Sequence, residues 1–192
     1  MADELPILPF ASAAALEAWL DAEHERAPGL WLQIAKKGSG VPSVTYEEAI
    51  EVALCFGWID GQMRGMDERF YLQRFTPRRP RSVWSQLNVG KAQALIAAGR
   101  MRPAGLAQIE AAKADGRWEA AYAGQRTATV PDDLQAALDA NPAAAAAFAA
   151  LDGANRYAIL HRIQLPAKRP GTRAQRIERY LAMLARGERL HP

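Results

Sequence analysis

Cysteine is nearly missing from this chain. Cys55 is the only one, so an internal disulfide and a zinc site built on cysteine pairs are both excluded. Histidine is scarce too: His24, His161 and His191 stand in unrelated contexts, with no HExxH pair and no metal-ligand spacing. No catalytic residue, metal or cofactor is expected from this inventory, and Ser82 and Ser85 have no base near them in sequence. No apolar run is long enough to span a bilayer. The start, Met1-Ala2-Asp3-Glu4-Leu5-Pro6, lacks the basic-then-apolar order of a signal peptide, so a cytoplasmic location is expected. A strong charge bias is missing as well: a net +3 does not by itself demand a nucleic-acid partner. No repeat of fixed period is present.

What remains is 192 residues of ordinary soluble composition, enough to bury a core without metals or disulfides. Leu5 to Phe10 reads as an extended lead-in, and Ser12 caps a helix bearing Leu16, Trp19 and Leu20. Leu30–Ala35 is the best strand candidate. The basic, glycine-bearing turn after it, Lys36-Lys37-Gly38-Ser39-Gly40, lacks the Walker and GxGxxG spacings and reads as an exposed loop.

Thr45-Tyr46-Glu47-Glu48 has the form of a capping box, and Tyr46, Ala49, Ile50, Ala53 and Leu54 recur at helical spacing as one apolar stripe. Gly57 suits the left-handed position just past that helix. Trp58-Ile59 then reads as a short extended run, Asp60-Gly61 as a turn, and Arg69–Phe75 as a strand. The order predicts an α+β half with a small antiparallel sheet.

From Ser82 onward the pattern is helical. Asn88, Pro103, Pro131 and Pro142 mark helix starts, and a last helix carries Ile177, Leu181 and Leu184 with Arg173, Arg176 and Arg179 off the stripe. Gly124–Thr129 is polar and unpatterned. The predicted organisation is an α+β domain over residues 1–123 and an all-helical region over 124–192.

The densest chemistry lies between Leu54 and Trp84. The loop Thr76-Pro77-Arg78-Arg79-Pro80-Arg81-Ser82 is stiffened by two prolines, so its arginines lose little entropy on closing around an anion. Arginine's planar fork matches carboxylate or phosphate. The candidate ligand-binding set is Trp58, Asp60, Arg64, Tyr71, Arg74, Arg78, Arg79, Arg81 and Trp84, with the aromatics as walls and Asp60 fixing orientation. Arg64 and Arg74 are the arginines expected to reach Asp60. The bland readings are a salt-bridged turn at Asp60, a solvated basic rim, core tryptophans and a buried Cys55.

The runs ALCFGWIDG from Ala53, RFTPRRPRSVWS from Arg74, AGRMRPAG from Ala98 and AKRPGTRAQRIE from Ala167 resemble the YdeI/OmpD-associated family, also labelled bacteriocin-protection proteins. The resemblance spans about Phe10 to Gly187. It implies a bacterial protein with an α+β first half, a helical second half and a role in bacteriocin or antimicrobial-peptide tolerance. It brings no catalytic residues. Contact with the outer-membrane porin of the label would need an export signal that the N-terminus lacks.

One function is expected, with two alternatives to it. The expected one is a non-enzymatic binder of an anionic small molecule or phosphate-bearing partner at the Arg74–Arg81 loop. The first alternative is a nucleic-acid binder using the basic residues at 74–81 and 168–179, whose affinity would fall steeply with salt. The second is an enzyme of unnamed reaction with Asp60 as acid or base.

Overall fold

The computed structural model describes residues 5–166 and 169–191. The chain forms two compact units, Met1–Ser82 with Asn88–Gly116, and Val83–Leu87 with Arg117–Pro192. Lys168, one of the predicted basic residues, and the first four residues lie outside the described set.

The first unit is built on a four-stranded sheet of order β1-β2-β4-β3, with β1 Ile7–Pro9, β2 Leu30–Ala35, β3 Trp58–Gly65 and β4 Phe70–Pro77. The expected sheet is present, but it is mixed: the lead-in pairs parallel with β2, Ile7 opposite Trp31, while the other pairings are antiparallel. Period-two alternation sets its faces. Leu30, Leu32 and Ile34 are buried on one face, with Phe75 opposite Leu30 and Tyr71 opposite Ile34. The other face carries Trp31 opposite Arg74, and Gln33 opposite Leu72.

Helices α1 (Ala13–Glu23) and α2 (Tyr46–Cys55) pack on each other and on the Leu30 face. Ser12 accepts from the Ala15 amide, as its spacing predicted, and Leu16 and Leu20 turn inward. Trp19 meets Trp58 edge-on at 6.0 Å. The capping box of α2 forms in full: the Thr45 hydroxyl accepts from the Glu48 amide and the Glu48 carboxylate accepts from the Thr45 amide at 2.8 Å. Gly57, at φ +72, ends the helix by donating its amide to the Leu54 carbonyl. Helix α3 (Gln86–Ala97) starts two residues before the predicted cap at Asn88, and α4 (Pro103–Ala114) has Pro103 in its first turn. The Arg102 amide donates to the Cys55 carbonyl, tying the entry of α4 to the end of α2.

The second unit holds α5 (Asp132–Asp139), α6 (Pro142–Ala149), α7 (Gly153–Gln164) and α8 (Thr172–Ala185). Leu134, Phe148, Ile159, Ile163, Tyr180 and Leu184 lie in their shared core. Val83–Leu87 belongs with them: Ser85 bridges Tyr122, and Trp84 packs on Trp118 at 4.9 Å. No helix among the described residues is long and apolar enough to cross a membrane.

Asn155 is the polar centre of that unit, only 2% exposed. Its side-chain amide donates to Asp152 Oδ2 and the His191 carbonyl, and its carbonyl oxygen accepts from the Leu190 and His191 amides. The chain's end is thus pinned to the start of α7. Asn155→Ala strands several buried polar groups at once, at about 1–3 kcal/mol for each one left unsatisfied. The expected result is loss of about 3 kcal/mol from the second unit. Urea unfolding checks it, with faster hydrogen exchange at Leu190 and His191 as the local signature.

Candidate functional site

The predicted turn at Asp60-Gly61 is part of β3, and the hairpin reverses later, at Met66–Arg69. Asp67 makes that turn, its Oδ1 accepting from the Arg69 amide at 2.7 Å and the Phe70 amide at 2.8 Å. At Asp60-Gly61 there is instead a β-bulge: Asp60 pairs with Phe75 and Met63 with Gln73, so β3 spends one residue more than β4. The Gln73 side-chain amide spans the irregularity, donating to the Gly61 carbonyl at 2.8 Å, and Gln73 is buried by doing so.

The extra residue decides where the arginines point. Without it, Asp60 and Arg64 would share a sheet face. With it, Arg64 pairs with Leu72 and joins the face of Trp31, where its guanidinium lies 4.2 Å from the ring centroid. Arg74 lies opposite Trp31 on that same face. Neither arginine is on the face of Asp60.

On the Trp31 face, Arg74, Arg79, Thr76, Gly61, Ile59 and Ser82 line a pocket of about 240 Å³. The Arg74 stem crosses Gly61, where a methyl group would sit 3.7 Å from its carbons. Arg74 makes no ion pair or hydrogen bond among the described residues, and its Nε is screened from solvent. The Arg79 amide donates to Ser82 Oγ at 2.9 Å, while its guanidinium stays exposed and outside any ion pair. Two guanidinium-bearing residues, Arg74 and Arg79, thus line one small concavity.

The other predicted residues are distributed differently. Arg78 is buried, 6% exposed, and its amide donates to the Gly57 carbonyl. Arg81 lies exposed in the turn after Pro80, outside the pocket lining. Trp58 is a core residue whose Nε1 donates to the His24 carbonyl. Trp84 is buried and belongs to the second unit. Tyr71 is on the Ile34 face, opposite in sense to Arg74.

Asp60 has a partner the sequence did not suggest. Its Oδ2 accepts from the Tyr46 hydroxyl at 2.9 Å. Burial, then the Asp60 charge and this hydrogen bond, push the Tyr46 pKa well above the usual tyrosine value, so the hydroxyl stays a donor. A raised folded-state pKa gives stability that is full below the unfolded value of 10.0 and is lost as the pH rises above it. Tyr46→Phe is expected to cost about 1–2 kcal/mol at neutral pH. It should also flatten the fall in stability that the wild-type chain shows as the pH rises above 10.0.

Beside this pair lies a concavity of about 720 Å³, lined by the Lys36–Val41 loop, Tyr46, Glu47, Met63, Tyr71 and Gln73 among others. The loop is exposed, as expected, and it is also a pocket wall.

Elsewhere the chemistry is structural. Cys55 is buried and its thiol pKa is raised, first by burial. His161 is held between Tyr122 and Tyr157, and burial, then Arg162, lowers its pKa. The C-terminal arginines are largely engaged. Arg173 pairs with Asp133 at 2.6 Å and donates to the Ile163 carbonyl, Arg176 donates to the Arg162 and Leu165 carbonyls, and Arg179 donates to the Tyr180 hydroxyl. Together Arg173 and Arg176 cap the open carbonyls at the end of α7.

No curated protein and no solved structure matches the chain. Two family models do. One, described as a domain of unknown function (DUF8412), matches residues 8–108, more than half the chain. The other, described as "Bacteriocin-protection, YdeI or OmpD-Associated", matches residues 127–187. With an α+β sheet unit under the first match and a helical core under the second, the chain belongs to the DUF8412 family and carries a YdeI/OmpD-associated region behind that domain.

Proposed function

We propose that this chain is a non-enzymatic binding protein whose first unit takes an anionic small molecule, or a phosphate-bearing group of a larger partner, between Arg74 and Arg79. The observation that carries the reading is Arg74: a half-buried guanidinium with no carboxylate partner, lining a concavity with a second such group. An uncompensated, partly desolvated cation is costly, and a charge-assisted pair with an oxyanion offsets that cost. The volume of about 240 Å³ suits a phosphate, sulfate or carboxylate head.

Arg173 is ion-paired with Asp133, and Arg176 and Arg179 donate to the protein's own neutral acceptors, so these three have fewer N–H donors left for phosphates. Asp60, held by Tyr46 and remote in face from the arginines, is better suited to fixing α2 on the sheet than to acid–base work. A role in bacteriocin tolerance is the cellular setting in keeping with this reading, supported by the likeness of residues 127–187 to bacteriocin-protection proteins.

The test is a thermal-shift screen at low ionic strength with inorganic phosphate, sulfate, citrate and nucleotides. A ligand at a hundred times its dissociation constant adds about 2.7 kcal/mol and raises the midpoint visibly. Phosphate or a phosphate ester should do so where chloride of equal ionic strength does not. Midpoints unmoved by every anion would end the proposal.

A further inference from the structure

The 720 Å³ concavity on the Ile34 face has a composition unlike that of the arginine pocket. Its floor and walls include Ile34, Val44, Met63 and the rings of Tyr46 and Tyr71. The volume falls in the range of small-molecule sites, which combine apolar walls with a few polar groups that set orientation. Here the polar groups are of both signs. Lys37 and Glu47 both line the concavity, and neither forms an ion pair, with the other or with any described residue. Lys36 differs, since its ammonium is committed to the Asp67 carbonyl at 2.8 Å. The Tyr71 hydroxyl makes no hydrogen bond among the described residues, whereas Tyr46 donates to Asp60 and keeps its oxygen lone pairs for an incoming donor.

The wall includes two glycines, Gly38 and Gly40, with φ of +86 and +71, a backbone conformation that a side chain would strain.

We infer that this concavity is a site for a free α-amino acid with an apolar or aromatic side chain. The side chain lies among Met63, Tyr46 and Tyr71, the carboxylate is met by Lys37, and the ammonium is met by Glu47. A zwitterion answers both unpaired charges at once. A simple anion would meet Lys37 but be opposed by Glu47, which separates this site from the one at Arg74.

Calorimetric titration of the full chain tests the assignment, with L-phenylalanine as the probe. N-acetyl-L-phenylalanine lacks the ammonium, L-phenylalanine amide lacks the carboxylate, and glycine lacks the side chain. L-phenylalanine should bind, each charge-deleted analogue about tenfold or more weaker, and glycine not at all. Lys37→Ala should weaken L-phenylalanine about tenfold yet leave the amide unchanged, and Glu47→Gln should weaken it yet leave the N-acetyl form unchanged. Both residues are exposed, so neither change threatens the fold, and Arg79→Ala should alter none of these affinities. Absence of binding at millimolar L-phenylalanine, equal binding of the N-acetyl form, or variants that weaken all analogues alike would overturn the inference.

Discussion

Gly105→Ala is expected to destabilise the first unit by about 2–3 kcal/mol, against the sign that helix propensity alone would give. Gly105 sits in the first turn of α4 with no unusual backbone angle. Propensity therefore favours alanine there by up to about 1 kcal/mol. Packing says the opposite. A methyl group at Gly105 would run into the Cys55 carbonyl and lie 2.7 Å from both the Leu54 carbonyl oxygen and the Met101 sulfur. Those two oxygens belong to the last turn of α2, and backbone cannot step aside as a flexible side chain can. Gly57 presents the same closeness from the other side, with the Ala104 carbonyl 2.9 Å from its would-be methyl. Two helices therefore meet backbone to backbone where α2 hands over to β3. Gly90→Ala is the control: it lies in α3 with nothing within 4 Å, so alanine should gain up to about 1 kcal/mol. Urea unfolding of the pair decides the matter, with hydrogen exchange in α2 as the local report. Equal gains at both positions would show that α4 does not press on α2.

Much of this fold was legible because its signals are local. A hydroxyl at Ser12, a capping box at Thr45, prolines at 103 and 142 and glycines past helix ends each act within a turn or so of their own position. The parallel partner of β1 was not legible, since nothing in Ile7–Pro9 states which strand it will join. Nor was the start of α3, where chain before the apparent Asn88 cap continues the helix.

The candidate site was legible in kind and not in arrangement. Of the arginine and aromatic residues singled out between Trp58 and Trp84, Arg74 and Arg79 alone line the concavity of about 240 Å³. Its grouping depended on the bulge at Asp60–Met63, and one inserted residue reverses the face of all that follow. Sequence spacing alone put Arg64 beside Asp60. The only cue to the reversal was Gly61, the residue most often found where a strand kinks. Tyr46 was read as part of an apolar helical stripe, because its hydroxyl's partner lies 14 residues on and across a helix–sheet contact. The Lys36–Gly40 loop matched no phosphate-binding spacing, and its wall-forming role comes from Tyr71 and Met63, which arrive from other strands.

The largest functional effect is expected from Arg74→Ala combined with Arg79→Ala. Each charged hydrogen bond to a partly desolvated oxyanion contributes about 1.5–3 kcal/mol, so removing both arginines should weaken phosphate binding by about a hundredfold or more. Stability should hardly change. Arg79 is exposed, and Arg74 forms no ion pair whose loss would strand a carboxylate. Arg81→Ala is the matched control, another exposed arginine of the same loop that lies off the pocket, and it should leave affinity nearly intact. Arg78→Ala should do the reverse of the double variant, lowering the midpoint because a buried side chain is removed from beside the Gly57–Arg78 backbone bond. Arg74→Lys separates charge from shape: an oxyanion held by the fork loses affinity even though the charge is kept. Titrations at two salt concentrations complete the argument, since affinity that survives the double substitution would move the anion site away from Arg74 altogether.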